Sequence, residues 1–561
     1  MHIDPTIIPA DSARPASLAG RVATALRFRA DRLTSAAVAA RVDVAIITSI
    51  TLLAAVLRIW HLGAVPLGLH GDEAWTGLDA RRVLQEGWIG PYLPSAVGQP
   101  IGPLYFTALL FKFMPQTTFT LRLSMALFGI ATIPLAYAAF ASMFNRTVAA
   151  FASLLLTVMM WHLHLSRTGF MVISWPFVEM AVLLALWHAM RLRSLALFLL
   201  AGALTGLGVY SYNAFYLFIP IPFIAMVWTY AGRRGRLLRR RTLLFVAAYT
   251  VAGLAASIPM LLYITDNPSD YRYHQKIVSI TNSEKWQNAD GFREHAHVVW
   301  ERAKEWPDAL INGDRIDFGD GLATKGHPPL GRLMFALSLV GAAAALWNWR
   351  RAEYAVVLAS FALLPLGALL TVGDGLFRRT LGLTPFVALL AALPLAWSWG
   401  RLLRLPARRR YLALLVLIIP AYVGVTTTYQ YFGPVQDNVD MKYVYPYQMD
   451  AASHYLSGLP DGTFVYFLSG NWSFDYETRR FIAPKAAGVD RSREFRDRSR
   501  DPTDDPIDYT ANTRTDIAFV FLAPYLDDLD TVVALYPGGS ITEASKGQEI
   551  LFRAYYVSRE K

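Results

Sequence analysis

Residues 43–75 read DVAIITSITLLAAVLRIWHLGAVPLGLHGDEAW, an apolar segment followed by a pair of carboxylates. Residues 43–62 are long enough to cross a bilayer as an α-helix, which needs roughly 20 apolar residues. Asp72 and Glu73 come shortly afterwards, where the chain has just left the membrane. Lipid interfaces favour Trp, Tyr, Lys and Arg over acids, so membrane anchoring explains the pair poorly. We therefore predict that Asp72 and Glu73 lie at the centre of an active site.

The composition of the chain is that of a membrane protein. Hydrophobic residues make up 54% of the 561 residues, charged residues make up 17%, and the mean hydropathy is +0.32. Soluble domains have a smaller apolar share and more charge. The chain contains no cysteine, which excludes disulfides, thiol catalysis and cysteine-ligated metal.

Eleven apolar segments are long enough to span a bilayer. They lie near residues 43–62, 120–142, 147–165, 171–190, 194–211, 214–231, 242–264, 329–348, 352–372, 380–399 and 410–428. A shorter apolar patch at residues 100–114 contains Pro100 and Pro103, and we interpret it as a juxtamembrane or re-entrant helix. The sequence therefore predicts an all-α polytopic membrane protein with about eleven transmembrane helices.

The distribution of charge predicts how the chain is oriented in the membrane. Residues 429–561 hold 20 Asp and Glu against 14 Lys and Arg, whereas the rest of the chain carries a formal charge of +17. Most of that excess lies in short arginine clusters between spans, such as residues 233–241 and 401–410, and cytoplasmic loops are enriched in Lys and Arg. If residues 100–114 do not span, most clusters fall on the side of the basic N-terminus. We therefore expect residues 1–42 to be cytoplasmic, either as an amphipathic helix on an anionic membrane or as a disordered basic tail.

The same alternation of spans places the long connections on the outer face. These connections are residues 63–119, which include Asp72 and Glu73, and residues 265–328. Loops of this length usually carry function or lack order. Residues 43–428 are thus predicted to form a transmembrane domain whose chemistry takes place on the extracytoplasmic side.

Residues 429–561 have the pattern of a small extracytoplasmic α/β domain. A helical stretch at residues 449–456 precedes a strand-like run at residues 463–468. A second buried-strand pattern covers residues 516–523.

Asp72 is the candidate general base, which would take a proton from an acceptor hydroxyl as that hydroxyl attacks a sugar carbon. A neighbouring carboxylate and low-dielectric surroundings are expected to raise the pKa of Asp72 towards the working pH. The structural alternative is that Asp72 caps a helix that starts at Glu73 and ends at Gly87, since Asp is a favoured N-cap and Gly a favoured helix end.

Three arginines at the predicted outer ends of spans are candidates for binding a phosphate. Arg122 begins one span, and Arg378 and Arg379 lie at the mouth of another. A guanidinium holds a phosphate through two parallel hydrogen bonds. The alternative is that these side chains reach to lipid head groups. Arginines are expected in cytoplasmic loops and not in outer ones, which favours the phosphate.

His162, His164 and Arg167 follow the third span in WHLHLSRTGF, residues 161–170. Two histidines at this spacing make only a weak metal signal, because the sequence offers no third ligand nearby. Hydrogen bonding at the membrane interface is the preferred interpretation of both. No metal site is predicted, and a divalent cation is left open as a cofactor.

Five short motifs resemble those of a known family. They are Gly71-Asp-Glu73, Gly102-Pro-Leu-Tyr-Phe106, Leu121-Arg-Leu-Ser124, His164-Leu-Ser-Arg167 and Phe377-Arg-Arg-Thr-Leu-Gly-Leu-Thr-Pro385. In order and placement, over residues 43–430, they resemble the GT-C fold glycosyltransferases of the protein O-mannosyltransferase and aminoarabinose transferase type. Eleven spans with a large outer loop after the seventh is similar to the protein mannosyltransferase layout.

The resemblance implies that a sugar moves from a polyprenyl-phosphate donor to an acceptor on the outer face of the membrane. It implies that Asp72 is the catalytic carboxylate and that Glu73 is its partner. It also implies that Arg122, together with Arg378 or Arg379, binds the donor phosphate.

Two departures from the family pattern concern the binding of the donor phosphate and the identity of the acceptor. The aminoarabinose transferases have a phosphate-binding Lys before a Pro-Pro-Leu segment, whereas this chain has Gly98-Gln-Pro-Ile-Gly-Pro103. The C-terminal region does not match the protein mannosyltransferase tail, and residues 265–328 are too few for an inserted β-trefoil. The acceptor is therefore a protein hydroxyl, a glycolipid or a growing polysaccharide.

We assign Arg167 to the donor phosphate with the other arginines. The remaining candidates are aromatic and imidazole side chains that would shape the substrate pocket, namely His70, Trp75, Tyr105, His162, His164 and Tyr212.

The predicted function is that of an inverting hexosyl- or pentosyltransferase in a bacterial-type plasma membrane. One base suffices for a single direct displacement, whereas retention needs a nucleophile and a second step. The expected partners are a polyprenyl-phosphate-linked sugar, membrane lipids and the acceptor, without nucleic acid. A polyprenyl-lipid or glycolipid transporter or flippase is the main alternative and would require buried ionisable residues, broken helices and internal symmetry. A non-catalytic membrane scaffold is the third.

Overall fold

The computed structural model describes residues 41–95, 98–231, 239–313, 327–373, 375–495 and 516–558. Two compact units are present, residues 1–49 and residues 50–561. Of the first unit only residues 41–49 are described, and they are helical. The predicted basic N-terminal segment therefore lies almost entirely outside the described residues.

Helices dominate the first half of the chain. A two-stranded antiparallel ribbon pairs β1 (Tyr92–Leu93) with β2 (Gln99–Pro100). The helices up to residue 313 are α1 (Arg41–Ile59), α2 (Gly71–Glu86), α3 (Gly102–Phe113), α4 (Thr118–Met143), α5 (Arg146–Val158), α6 (Met160–Ser166), α7 (Ser174–Leu192), α8 (Leu195–Gly208), α9 (Pro220–Ala231), α10 (Arg240–Asp266), α11 (Pro268–Val278), α12 (Glu284–Gln287) and α13 (Gly291–Asn312).

The second half begins with further helices and ends in a sheet. Its helices are α14 (Arg332–Trp347), α15 (Ala352–Leu363), α16 (Leu366–Leu369), α17 (Thr384–Leu403), α18 (Ile418–Phe432), α19 (Pro434–Asp437), α20 (Val439–Val444), α21 (Tyr447–Ser457), α22 (Glu477–Ile482) and α23 (Asp528–Leu535). Its strands are β3 (Phe464–Leu468), β4 (Ala487–Asp490), β5 (Ile517–Phe521), β6 (Ser540–Lys546) and β7 (Glu549–Val557).

Eight helical stretches among the described residues are long and apolar enough to cross a membrane. They are Arg41–Ile59, Thr118–Met143, Met171–Leu192, Asn213–Ala231, Arg240–Asp266, Ala352–Leu369, Arg378–Leu403 and Ala407–Asp437. The bent pair α5 and α6, which turns by 60°, makes a ninth if it is one span. Helices α8 and α14 are apolar but shorter. The predicted all-α polytopic membrane protein is confirmed, while the count of eleven spans stays a prediction.

Small residues allow neighbouring membrane helices to approach closely. On α8, a Cβ added at Gly202 would overlap the backbone carbonyl of Tyr249 on α10. One turn further along, the Thr205 hydroxyl lies 2.7 Å from the Tyr249 hydroxyl and bonds to it in the buried interface. The pair α8 and α10 is therefore joined by backbone packing and one internal hydrogen bond.

The C-terminal α/β domain contains a five-stranded mixed sheet with the order β4-β3-β5-β7-β6. Strand β3 runs parallel to both β4 and β5, and β7 runs antiparallel to β5 and β6. Buried side chains cover both faces, with Phe467 and Phe552 in one core cluster and Phe519 and Tyr555 in the other. The two predicted strands correspond to β3 and β5, and the small C-terminal α/β domain is confirmed.

The α/β domain packs directly against α2. Helix α22 lies on α2, where a Cβ at Gly77 would overlap the ring of Phe481. The Thr478 hydroxyl donates a 2.7 Å hydrogen bond to the carbonyl of Leu69, just before α2 begins. The helix that holds Asp72 is thus held in place by the C-terminal domain.

Candidate active site

Helix α2 positions the two predicted catalytic carboxylates. It begins at Gly71 with His70 as its N-cap, whose Nδ1 accepts a 2.9 Å hydrogen bond from the backbone N–H of Asp72. It ends before Gly87, which has φ 79° and bonds to the Val83 carbonyl. A helix ending at Gly87 is therefore confirmed, but Asp72 as its cap is wrong, because His70 already satisfies the free N–H at this end.

Asp72 forms an ion pair with Arg378 across a separation of 306 residues. The Arg378 Nη1 lies 2.8 Å from Oδ2 of Asp72, and the two side chains are 17% and 37% exposed. The guanidinium carbon of Arg378 also lies 4.4 Å from the centre of the Phe170 ring. Two of the predicted site residues, one expected as a base and one as a phosphate ligand, are therefore in direct contact.

The ionisation of Asp72 differs from the sequence-based expectation. Burial raises the pKa of the Asp72 carboxyl, but His70 and Arg378 together lower it by more, so its pKa lies below the ordinary value. The expectation of a raised pKa was wrong because the adjacent carboxylate, Glu73, binds a different arginine and leaves Asp72 paired with Arg378.

A cavity of about 390 Å³ opens beside this ion pair. Asp72, Arg378 and Arg379 line it together with Tyr212 and Asn213. Arg379 donates to the Thr371 hydroxyl at 2.9 Å and to the Val372 carbonyl at 2.8 Å. The lining also includes Phe170, Thr76, Gln99, His274 and Ile277. The cavity therefore joins one carboxylate, two guanidinium groups and apolar or aromatic walls.

Four polar side chains in the described lining were not predicted as site residues from the sequence, namely Thr76, Gln99, Asn213 and His274. Asn213 donates a 3.1 Å hydrogen bond to the Gly98 carbonyl, and His274 comes from α11. The tyrosine before Asn213, Tyr212, was predicted and stacks on the Trp175 ring at 5.9 Å. Asn213 could have been predicted because it follows Tyr212 directly in the sequence. No sequence feature identified His274 as a lining residue.

Glu73 and Arg122 form a second ion pair that is fully buried. Arg122 Nε lies 2.9 Å from Oε2 of Glu73, and both side chains are 0% exposed. Arg122 also donates to the carbonyls of Pro66 and Gly68, at 2.8 and 2.5 Å. The backbone N–H of Gly169 donates to Glu73 at 2.7 Å. Neither Glu73 nor Arg122 lines the Asp72 cavity.

Arg167 and His162 are likewise surrounded by protein. Arg167 donates to the carbonyls of Leu57 and Trp60, at 2.7 and 2.8 Å, and its guanidinium lies 4.6 Å from the centre of the Phe432 ring. His162 Nδ1 lies 2.9 Å from a guanidinium nitrogen of Arg58 and is hydrogen-bonded to it. Arg58 was not predicted as a site residue, although a charged residue inside an apolar segment was a visible signal.

The remaining predicted pocket residues are distributed around the site. His164 Nε2 bonds to the Tyr445 hydroxyl at 2.9 Å, and Tyr105 donates to the Gly90 carbonyl at 2.6 Å. The guanidinium of Arg480 lies 5.2 Å from the centre of the Trp75 ring. None of these residues lines the Asp72 cavity, in contrast to Tyr212.

The donor set of the cavity does not match a divalent cation. Hard divalent cations take several oxygen ligands, most often carboxylates. Asp72 is the one carboxylate in the described lining, and it binds a guanidinium. Over the parts of the chain that the structure describes, no group of three or more His, Cys, Asp and Glu is placed to hold a metal ion.

Solved structures similar to this chain share one architecture. The archaeal oligosaccharyltransferase AglB from Archaeoglobus fulgidus, in complex with an inhibitory peptide and a dolichol-phosphate, matches with a TM-score of 0.53 and 14% identity, over 92% of this chain and 74% of that one. ArnT from Cupriavidus metallidurans matches in the apo state with a TM-score of 0.52 and 15% identity, over 93% and 98%. ArnT bound to undecaprenyl phosphate matches with a TM-score of 0.51 and 15% identity, over 92% and 97%. The chain is an integral membrane protein with the GT-C glycosyltransferase fold.

A family model gives a narrower likeness within that fold. Residues 98–263 match the family described as dolichyl-phosphate-mannose-protein mannosyltransferase. The matched segment begins at the cavity residue Gly98 and ends at residue 263, within α10. A search of the curated proteins finds no match to the chain.

Proposed function

We propose that the protein is a glycosyltransferase that transfers a sugar from a polyprenyl-phosphate donor to an acceptor hydroxyl. The observation that carries this proposal is the Asp72–Arg378 contact of 2.8 Å at the wall of a cavity where several membrane helices begin. The GT-C fold, the family match and the lipid ligands of the similar structures, dolichol-phosphate and undecaprenyl phosphate, support it. The place of the sugar in the cavity follows from the charges, since the carboxylate is adjacent to the cationic groups that would hold the phosphate.

Asp72 is the general base of the proposed reaction. The acceptor oxygen attacks the anomeric carbon and its proton passes to the Asp72 carboxylate. The bond between the anomeric carbon and the phosphate oxygen breaks, and its electron pair leaves with the polyprenyl phosphate. One carboxylate in the described lining supports a single displacement with inversion, because retention needs a nucleophile and a second step.

Arg378 and Arg379 are the proposed ligands of the donor phosphate. Both line the cavity, and a planar guanidinium matches the geometry of phosphate oxygens. Because Arg378 also binds Asp72, a phosphate that takes part of its hydrogen-bonding capacity weakens its contact with the base. The pKa of Asp72 then rises, which makes the carboxylate a better proton acceptor when the donor is bound.

We assign Glu73, Arg122 and Arg167 a positioning role in place of direct phosphate contact. Arg122 joins Glu73 to the backbone carbonyls of residues 66 and 68, and Arg167 joins the carbonyls of residues 57 and 60. These bonds hold the loop before α2 in one conformation. The loop geometry fixes where Asp72 enters the cavity.

The acceptor is proposed to approach from the side of the C-terminal domain. Helix α22 covers α2, and Arg480 packs over Trp75 on the same helix as Asp72. A Cβ at Gly71 would lie 2.9 Å from the Tyr476 hydroxyl, which places that hydroxyl beside the start of α2. Tyr476 and Trp75 are therefore candidates for contacting a protein, glycolipid or polysaccharide acceptor. The charge distribution supports an extracytoplasmic active site.

The test is sugar transfer by the purified full-length protein in detergent. Radiolabelled sugars on synthetic polyprenyl phosphates are offered as a panel to the wild type and to Asp72→Asn, and both transfer and hydrolysis are counted. Consumption of one donor by the wild type, lost in the variant, is the expected result. If no donor is consumed although the protein binds polyprenyl phosphate, the proposal fails.

Lipid transport is the second candidate, and one buried charge favours it. Glu179 lies within a predicted span and is 0% exposed, and its carboxylate is buried beside the Trp175 side chain, one turn earlier on α7. Ionisable groups inside membranes often mark translocation pathways. Movement of a fluorescent polyprenyl phosphate between leaflets of proteoliposomes, abolished by Glu179→Gln without donor cleavage in the wild type, would favour transport.

A further inference from the structure

A second large cavity lies at the opposite ends of the helices that border the Asp72 cavity. Helix α7 starts beside Met171 at the Asp72 cavity and ends at the second cavity with Trp187 and Arg191. The second cavity has a volume of about 900 Å³. It lies where membrane helices end, and nothing in the proposed transfer reaction uses it.

Four arginines line this cavity and come from separate connections. Arg191 and Arg193 lie at the end of α7, and Arg239 and Arg241 lie at the start of α10. Arg193 ends its helix with φ 52°, the left-handed conformation that few non-glycine residues adopt. Four positive charges, from two separate connections between helices, therefore line one cavity.

The cavity contains little negative charge to balance them. Glu353 is the one acid in the described lining, and its Oε1 lies 2.5 Å from Nη2 of Arg351. Arg351 does not line the cavity. The single carboxylate is thus already paired, so the four arginines provide excess positive charge for an anionic ligand.

The walls between the arginines are aromatic and apolar. Trp187, Trp228, Phe245 and Leu244 line the cavity, and Leu244 is 53% exposed. The hydroxyl of Thr229, also in the lining, is buried and has no hydrogen-bond partner among the described residues. The cavity thus combines cationic groups at the helix ends with apolar surface that continues along the spans.

We propose that this cavity binds the head group of an anionic phospholipid in the leaflet opposite the Asp72 cavity. The arginines contact phosphate oxygens, and Trp228 and Leu244 contact the glycerol and the first acyl carbons. Basic pockets between membrane helices are suited to lipid phosphates. The alternative is that these arginines are simply solvated by water at the ends of the helices. That alternative accounts for the positive charge, but not for arginines from two connections lining one cavity together with an unpaired buried hydroxyl. Four arginines favour a head group with two phosphates, such as cardiolipin.

The experiment measures lipid binding by the full-length protein with native mass spectrometry in detergent. Cardiolipin, phosphatidylglycerol and phosphatidylcholine are added separately to the wild type and to a variant with Arg191→Gln, Arg193→Gln, Arg239→Gln and Arg241→Gln. We expect cardiolipin affinity to fall by about thirtyfold for each pair of arginines removed. The two double variants, one for each connection, are measured as well in case the quadruple variant does not fold.

The control is a charge-matched variant at the same ends of the helices. It carries Arg404→Gln, Arg408→Gln, Arg409→Gln and Arg410→Gln, which are exposed and do not line the cavity. We expect it to bind cardiolipin as the wild type does. An equal loss in this control, or equal binding of phosphatidylcholine, would overturn the proposal. Displacement of the lipid by inorganic phosphate at low millimolar concentration would overturn it too, since the site would then be one for free phosphate.

Discussion

Asp72 and Glu73 are adjacent in the chain, yet their carboxylates bind different arginines. Asp72 contacts Arg378 at 2.8 Å at the wall of the cavity, and Glu73 contacts Arg122 at 2.9 Å in the protein interior. Successive residues of a helix point about 100° apart, so one turn of α2 serves two environments. Substitution of Asp72 should therefore affect activity, whereas substitution of Glu73 should affect stability.

Asp72→Asn should abolish transfer without destabilising the protein. Loss of a general base lowers turnover by about 10²- to 10⁴-fold, whereas Asn keeps the shape of the side chain. The measurement is initial rate of sugar transfer, with the melting temperature as a check on folding. The matched control is Asp79→Asn on the same helix, where the carboxylate accepts a 2.7 Å bond from Ser95 outside the cavity lining. A comparable loss of rate in the control would count against Asp72 as the base.

Glu73→Gln should destabilise the fold. Breaking a buried ion pair by removing one charge costs about 3–5 kcal/mol, because the partner, here Arg122, stays buried and uncompensated. The unfolding free energy in detergent is the measurement. Glu86→Gln is the control, since its pair with Arg82 is 49% and 52% exposed and should contribute at most about 1 kcal/mol. Wild-type stability in Glu73→Gln combined with lost activity would instead make Glu73 a direct participant in catalysis.

Arg378→Gln should move the acid limb of the activity profile to higher pH. In the wild type, His70 and Arg378 hold the pKa of Asp72 below its ordinary value, so the base stays ionised in mild acid. Without the guanidinium, burial raises the pKa, and a larger fraction of Asp72 is protonated at each acidic pH. The ratio kcat/KM is measured against pH for both proteins. Arg379→Gln, which does not contact Asp72, should weaken donor binding and leave the limb in place; a shift in both variants would contradict the pairing.

Gly77→Ala should loosen the C-terminal domain from α2. The new methyl group would overlap the ring of Phe481, which is 1% exposed. Overpacking of this kind costs about 1–3 kcal/mol, more than the roughly 1 kcal/mol that Ala gains over Gly in a helix. Hydrogen exchange of residues 477–482 should increase. Combining the change with Phe481→Leu, which makes room, should restore protection; protection unchanged in Gly77→Ala alone would mean that the contact does not hold the domain.

Hydropathy was sufficient to predict a polytopic membrane protein, because it is a local property of the chain, whereas the catalytic role of Asp72 stays a prediction. The partners of charged residues were not predictable, since Glu73 lies 49 residues from Arg122 and Asp72 lies 306 residues from Arg378. Arg122 begins a span in the same way as Arg378, and only tertiary packing separates a buried pair from one at a cavity. Strands β3 and β5 were recognised as continuous apolar runs, whereas β6 is exposed and polar and gave no such signal.

The position of β7 within its sheet determines when the site is completed during synthesis. Residues 549–557 lie between β5 and β6, and Leu551 and Phe552 pack in the core that includes Phe474 and Ala483 on either side of α22. The ribosome makes α2 early and this strand nearly five hundred residues later. Domains fold as units once their chain is available, so α22 gains a stable platform only then. The membrane helices can insert while α2 is still uncovered, and α2 gains its full support from the C-terminal domain only after residue 557 has been made.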